Sequence, residues 1–199
     1  MKLYDLTLSG NCYKVRLFLS LIGQPVELIP VNLLKGEHKQ PAFLALNPRG
    51  EVPVLLDADV RLIDSQAILV YLARRYADER WFPLDAQRQA DIVGWLSFAA
   101  NEMHHGPATV RLGRLFGLPI DAALAESRAL VALQLLEQQL AEHVWLAGTD
   151  TPTIADVAVY PYAALAGEGG IDLAAFPAVE AWCSRLRELP GYIGMPGLA

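Results

Sequence analysis

The chain has 199 residues, 53% of them hydrophobic, which is enough apolar material for one large domain or two small domains with cores of their own. Its formal net charge of −6 and the lack of any run of Lys and Arg argue against a surface for nucleic acids or anionic membranes. The N-terminus lacks the apolar stretch of a signal peptide, and no uncharged apolar run approaches the ~18 residues needed to cross a bilayer, so we expect a cytoplasmic protein.

The first ~75 residues alternate short β-type runs with helical patterns, which indicates a sheet with helices packed on it. The predicted elements are, in chain order, a strand at 4–8, a helix at 12–22, a strand at 26–31, a short helix at 41–46, a hairpin of 54–56 with 60–62, and a helix at 64–76. Gly23 ends the first helix, and Asn47-Pro48 ends the short one.

The pattern changes at residues 77–84, and the rest of the chain is typical of helices separated by short Gly/Pro loops. We therefore predict a first domain at 1–77 and an all-helical domain at 85–199. The features that mark helices in the second part are an apolar stripe at 133, 136, 140 and 144, a capping box at 153–156, and a helix start at Pro177.

A proline opens the β-branched run at 53–55. Because Pro53 has no N–H for a sheet ladder, it leaves the main-chain groups of Val52 free to pair with an extended ligand as an extra strand. Asp64 and Ser65, at the start of the next predicted helix, present an anion beside backbone donors. Together these features predict a site for a small zwitterionic peptide.

Over nearly its whole length the chain resembles a cytosolic glutathione S-transferase, and within that family the bacterial serine-type members of theta- or beta-like character. The motifs behind the resemblance are Ser9-Gly10-Asn11-Cys12, residues 47–55, the pair Asp64-Ser65, residues 153–156 and residues 177–182. The resemblance implies a thioredoxin-like α/β N-terminal domain with Pro53 in the cis form and an all-α C-terminal domain. It also implies glutathione as co-substrate and usually a homodimer.

Glutathione reacts as its thiolate, and lowering a thiol pKa from ~8.5 to about 6.5 requires roughly 2.7 kcal/mol in favour of the anion. A hydrogen bond to a charged group contributes roughly 1.5–3 kcal/mol, so one hydroxyl at a helix start suffices. The resemblance places this hydroxyl at Ser9, for which the alternative is a residue that only caps the helix. Asn11 is the competing donor, or else an ordinary turn residue. Cys12 is expected to be buried.

The resemblance assigns the binding of glutathione to three places. Val52, next to Pro53, pairs with the cysteinyl part, while Asp64 and Ser65 hold the γ-glutamyl end, unless that pair is an ordinary helix cap. His38 matches the histidine that theta-like members direct at the glycine carboxylate, although a solvated loop histidine fits the sequence as well.

The second substrate is expected against the helical domain, where residues 101–107 interrupt an apolar helix. Residues 102–106 resemble a segment of beta-class members whose histidine lines the active site, which makes His104 the candidate. His105 points elsewhere, because adjacent helical residues diverge. Arg111 and Arg114 are interpreted as part of a solvated face.

The leading hypothesis is therefore a transferase that adds the glutathione thiolate to an electrophilic, largely apolar substrate. One alternative is glutathione-dependent reduction of disulfides or peroxides, in which Asn11 or Cys12 matters more than Ser9. A second is a non-catalytic binding or regulatory protein with the same fold. No metal is expected, since Cys12 and Cys183 lie far apart without a His or Cys at zinc spacing.

Overall fold

A computed structural model describes residues 1–198, which form a small sheet with helices followed by a helical part. The strands are β1 (Lys2–Asp5), β2 (Glu27–Pro30), β3 (Val54–Asp57) and β4 (Val60–Leu62). The α-helices are α1 (Gly10–Leu21), α2 (Pro41–Leu44), α3 (Ser65–Tyr76), α4 (Ala86–Ala100), α5 (Thr109–Phe116), α6 (Ala122–Glu142), α7 (Ile154–Ala164) and α8 (Pro177–Arg187). The predicted combination of an α/β part with an all-helical part is confirmed.

The sheet has the order β2-β1-β3-β4, with β1 parallel to β2 and antiparallel to β3. β1 ends at Asp5 and not at residue 8, because the chain turns: the Ser9 amide donates to the Leu6 carbonyl at 2.9 Å and the Leu6 amide donates to Cys12 Sγ at 3.4 Å. Since β1 is an inner strand, the turn that follows it lies near the centre of one end of the sheet and not beside an outer strand. It leads directly into α1.

Helix α1 is buried between the sheet and the helical part of the molecule. Cys12, Val15 and Phe18 are fully buried, and α1 packs against both α3 and α7. The main core is continuous from Leu3 of β1 to Trp182 of α8. Among residues 1–198, no helix is both long and apolar enough to span a membrane.

The interruption predicted at 101–107 is a π-helical turn, His104–Ala108, which joins α4 to α5. It packs closely on α6, because a Cβ on Gly106 would lie 2.8 Å from the backbone of Ala129. Helix α6 ends at Glu142, two residues before the last position of the expected apolar stripe. Val144 lies beyond the helix, which turns into extended backbone at His143, and its exposed fraction is 56%.

The predicted capping box at Thr153 and Asp156 is confirmed, and it joins three elements of the helical part. The fully buried Asp156 carboxylate accepts from the Leu146 amide at 3.0 Å, the Thr153 amide at 2.9 Å and Trp182 Nε1 at 3.0 Å. Burial raises the pKa of this carboxyl, and the donors oppose that effect by favouring the anion.

We predict that Asp156→Ala lowers the free energy of unfolding by about 3 kcal/mol or more, because it leaves buried N–H donors without acceptors. Urea unfolding measures this change. Asp150→Ala, at an exposed loop position nearby, is the control and is expected to change stability by less than ~0.5 kcal/mol. Equal stability of the two variants would contradict the prediction.

Candidate active site

The turn after β1 presents Ser9 and Asn11 at the N-terminal end of α1. Ser9 is the N-cap, with extended backbone, and its Oγ accepts from the Cys12 amide at 3.2 Å. Both side chains are half-buried, whereas Cys12 is fully buried, as predicted. Burial raises the pKa of the Cys12 thiol to about 12, so this cysteine stays protonated and unreactive at neutral pH.

Asn11 connects this turn to the start of α3. Ser65 Oγ donates to Asn11 Oδ1 at 3.4 Å, and Ser65 is 7% exposed. Because the carbonyl oxygen of Asn11 is engaged by Ser65, its NH₂ group remains as a donor beside Ser9. The structure thus brings together Ser9, Asn11 and Ser65.

Asp64 is the N-cap of α3, and a single oxygen does the capping. Oδ1 accepts from the amides of Gln66 and Ala67, both at 2.9 Å, while Oδ2 has no hydrogen bond within residues 1–198. The Ser65 amide likewise has no acceptor among these residues. An exposed carboxylate oxygen and a free N–H therefore lie side by side.

Val52 precedes Pro53 across a cis peptide bond. Pairing of β3 with β1 begins only at Val54, and neither main-chain polar group of Val52 is hydrogen bonded in the described part of the chain. The preceding loop is held by Asn47, whose Nδ2 donates to the Glu51 carbonyl at 2.7 Å. Val52 thus offers a free main-chain edge to an extended ligand.

His38 lies in a short 3₁₀ turn, Glu37–Lys39, that packs on this same loop. Its Nδ1 is buried without a hydrogen-bond partner. Lys39 Nζ donates to the carbonyls of Arg49 and Gly50, both at 3.2 Å, and so ties the 3₁₀ turn to the loop.

The two adjacent histidines do not diverge as expected: their rings make an edge-to-face contact with centroids 5.1 Å apart, although they differ in exposure. His104 is half-buried and faces the N-terminal part of the molecule. Burial, His105 and the Lys14 ammonium lower its pKa, and Glu51 opposes them. His105 is exposed and borders a separate surface concavity with Glu102 and Arg128.

The sequence interpretation of Arg111 as part of a solvated face is wrong, although Arg114 is exposed as expected. Arg111 is 2% exposed, pairs with Glu168 through Nε, and donates from Nη1 to the Leu8 carbonyl at 2.9 Å. It therefore fixes the residue that precedes Ser9. No local sequence pattern signals this burial, because the partners of Arg111 lie 57 and 103 residues away.

Lys14 and Tyr162 are two further residues beside this turn that the sequence did not reveal. Lys14 is fully buried, and its Nζ lies 5.8 Å from the centre of the Tyr162 ring. Tyr162 also contacts the start of α1, where a Cβ on Gly10 would lie 2.6 Å from the ring. Within residues 1–198, no three His, Cys, Asp or Glu side chains are grouped to hold a metal.

Known proteins are similar to this chain in sequence and in architecture. Residues 3–80 match the glutathione S-transferase N-terminal domain family and residues 120–190 the C-terminal domain family. The chain is 37% identical to glutathione S-transferase 3 of Zea mays, over 96% of this chain and 91% of the relative. It is 36% identical to maleylacetoacetate isomerase of Pseudomonas aeruginosa, over 90% and 88%. The solved glutathione S-transferase of Pseudomonas fluorescens matches with a TM-score of 0.91 at 34% identity, over 98% of each chain.

We predict that Gly10→Ala destabilises the protein by about 1–3 kcal/mol, because the added methyl group crowds the Tyr162 ring and pushes α1 away from α7. Thermal or urea unfolding measures the change. Gly94→Ala is the matched control: it lies within α4 with open space around it, so it is expected to raise stability by about 0.5–1 kcal/mol. A stable Gly10→Ala variant would show that the contact is loose.

Proposed function

The chain belongs to the glutathione S-transferase family, as its sequence predicted, and from this we propose that it activates the thiol of glutathione for conjugation to an electrophilic, largely apolar substrate. The observation that best supports the proposal is the position of Ser9. Its hydroxyl lies at the N-terminus of a buried helix, beside a free Asn11 amide group. Both polar groups and the helix dipole favour an anion at this point.

In this proposal Ser9 both caps the helix and activates the thiol. A hydroxyl has two acceptor lone pairs and one O–H donor. One lone pair accepts from the Cys12 amide, which leaves the O–H free to donate to sulfur. The thiol proton leaves to solvent, the thiolate attacks the electrophilic carbon, and the leaving group departs with its bonding electrons.

The proposed glutathione site extends over three segments. Val52 pairs its free main-chain groups with the cysteinyl part, next to Pro53. The free oxygen of Asp64 takes the γ-glutamyl ammonium, while the free amide of Ser65 takes the carboxylate and its hydroxyl stays on Asn11. His38 takes the glycine carboxylate through Nε2, since its Nδ1 is buried.

We place the second substrate beside His104. The pKa of this histidine is lowered chiefly by burial, so the ring is neutral at pH 7 and suits an apolar substrate better than an anion. Residues 1–77 would then bind glutathione, and residues 85–199 would supply the wall for the electrophile.

We also propose that the chain forms a homodimer in the cytoplasm, as is typical of the family. Helix α6 exposes an apolar face, since Leu124, Val131 and Leu135 are spaced for one side of a helix and are 47%, 58% and 45% exposed. A second copy of the chain is the partner for this face.

We predict that Ser9→Gly raises the pKa of bound glutathione's thiol by about 1–2 units and lowers kcat/KM for an aryl halide about 10²-fold at neutral pH. Glycine is nearly as good an N-cap, so stability should fall by only about 0.5 kcal/mol or less. Ultraviolet absorbance of the thiolate across a pH series gives the pKa.

Two comparisons make this test specific. Ser9→Ala removes the cap as well and should lower stability by about 1 kcal/mol, with the same loss of activity as Ser9→Gly. Ser97→Ala, on the exposed side of α4, should change neither quantity. An unchanged thiol pKa in Ser9→Gly would refute the assignment of Ser9. If millimolar glutathione did not raise the melting temperature of the unaltered protein, the non-catalytic alternative would replace the transferase.

One observation favours reduction of disulfides by glutathione as a second candidate function: the unengaged NH₂ group of Asn11 beside Ser9. If conjugation is the activity, Asn11→Ala lowers turnover of an aryl halide less than Ser9→Gly does. If reduction is the activity, Asn11→Ala is the more damaging change, and a small mixed disulfide is turned over faster than the aryl halide. Steady-state rates with both substrates decide between these functions.

A further inference from the structure

Lys14 occupies an unusual place for a lysine. It lies on α1 four residues after Gly10 and three after Asn11, so the three residues share one face of the helix. Side chains on a helix lean toward its N-terminus, which directs Lys14 toward the first turn. Its exposed fraction is 0%, and Nζ has no hydrogen-bond partner in residues 1–198.

The surroundings of Lys14 do not neutralise its charge. The titratable groups that face it are Asp64 at the start of α3, Cys12 on α1, His104 in the π-helical turn and Tyr162 on α7. Asp64 is the one anion at neutral pH among these four, and it does not reach Nζ; its Oδ1 caps α3. The Tyr162 ring offers only a cation–π contact, and the helix N-terminus is itself positive.

A buried ammonium that lacks a counter-charge is costly, and lysine is almost never fully buried unless it is paired. The neighbouring Arg111 shows the usual arrangement, since Glu168 neutralises it. Lys14 therefore lacks an anion in the free protein. On the same face of α1, Asn11 lies one turn nearer the helix N-terminus, which Ser9 caps.

We infer that Lys14 is the buried counter-charge of the glutathione thiolate, a positioning residue that stabilises the sulfur anion through the first turn of α1. This inference rests on the proposed function, because it requires glutathione to bind at Ser9. Opposite charges a few ångströms apart lower an acid's pKa by about 1–3 units, and burial removes most of the screening by salt. The binding of the tripeptide backbone does not depend on Lys14.

The charge of Lys14 should also affect how the free energy of unfolding depends on pH. Burial lowers the pKa of Lys14 to about 7, whereas a lysine in the unfolded chain has a pKa of about 10.4. Between these two pKa values the unfolded chain binds more protons than the folded chain, so the free energy of unfolding rises with pH. Below pH 7 the buried charge of Lys14 destabilises the fold by its full amount. Removal of the charge should stabilise the protein without glutathione.

The test uses the full-length protein with Lys14→Met, Lys14→Arg and, as control, Lys2→Met at an exposed position on β1. In Lys14→Met the thiol pKa of bound glutathione should rise by about one unit or more, with about tenfold lower kcat/KM at pH 7. Its affinity for S-methylglutathione, which has no thiolate, should stay within about twofold. Lys14→Arg should keep the low thiol pKa, and Lys2→Met should resemble the unaltered protein.

Unfolding without glutathione gives an independent readout. Lys14→Met should melt at a higher temperature than the unaltered protein at pH 6, and the difference should shrink as the pH rises toward 10. A Lys14→Met variant that is less stable or fails to fold would overturn the inference, because Lys14 would then hold the free fold together.

Other outcomes also decide the matter. If Lys14→Met leaves the thiol pKa unchanged, Lys14 does not act on the sulfur. The same holds if Lys14→Met lowers the affinity for S-methylglutathione as much as the affinity for glutathione, and that result would assign Lys14 to the γ-glutamyl carboxylate. In both cases the proposed function stands, because the unaltered protein still lowers the thiol pKa. If the unaltered protein binds no glutathione, the proposed function and this inference fail together.

Discussion

The approach of α1 to α7 is the contact on which the arrangement of the site depends. The Gly10 backbone lies against the Tyr162 ring, and Arg111 reaches from the helical part to the Leu8 carbonyl. These contacts hold the turn after β1 from the helical side, while the inner strand β1 holds it from the sheet. Most of α1 is therefore buried, and Lys14, which lies on a buried face, has no route to water.

Two residues illustrate how one side chain can cap a helix and still keep a polar group free for a ligand. Ser9 uses a lone pair as the helix cap and keeps its proton as a donor. Asp64 caps α3 with Oδ1 and keeps Oδ2 free. The sequence alone presents capping and ligand binding as alternatives for both residues, because both uses select the same residue types. The atoms show that these uses do not exclude each other.

Local patterns were sufficient to predict the fold class and most elements, because hydrophobic periodicity and caps depend on nearby residues. They failed where distant parts of the chain decide. The alternation at Tyr4, Leu6 and Leu8 indicated a longer strand, yet the chain turns after Asp5. Arg111 is paired with a carbonyl 103 residues away, which no local pattern contains. Motifs were sufficient to single out Val52, Asp64 and Ser65, whereas their arrangement relative to Asn11 depends on the tertiary structure.

The charges around the turn explain why its two buried cations differ. The charge of Arg111 is balanced by Glu168, and Nη1 fixes the backbone before Ser9, although Nη2 has no hydrogen-bond partner in residues 1–198. Lys14 has no such partner, and its burial would be a pure loss if the site never received an anion. The site thus combines the uncompensated charge of Lys14 with the Ser9 hydroxyl, the Asn11 amide and the N-terminus of α1. All four groups favour one negative charge at this place. Under the proposed function, we infer that this charge is the thiolate of glutathione.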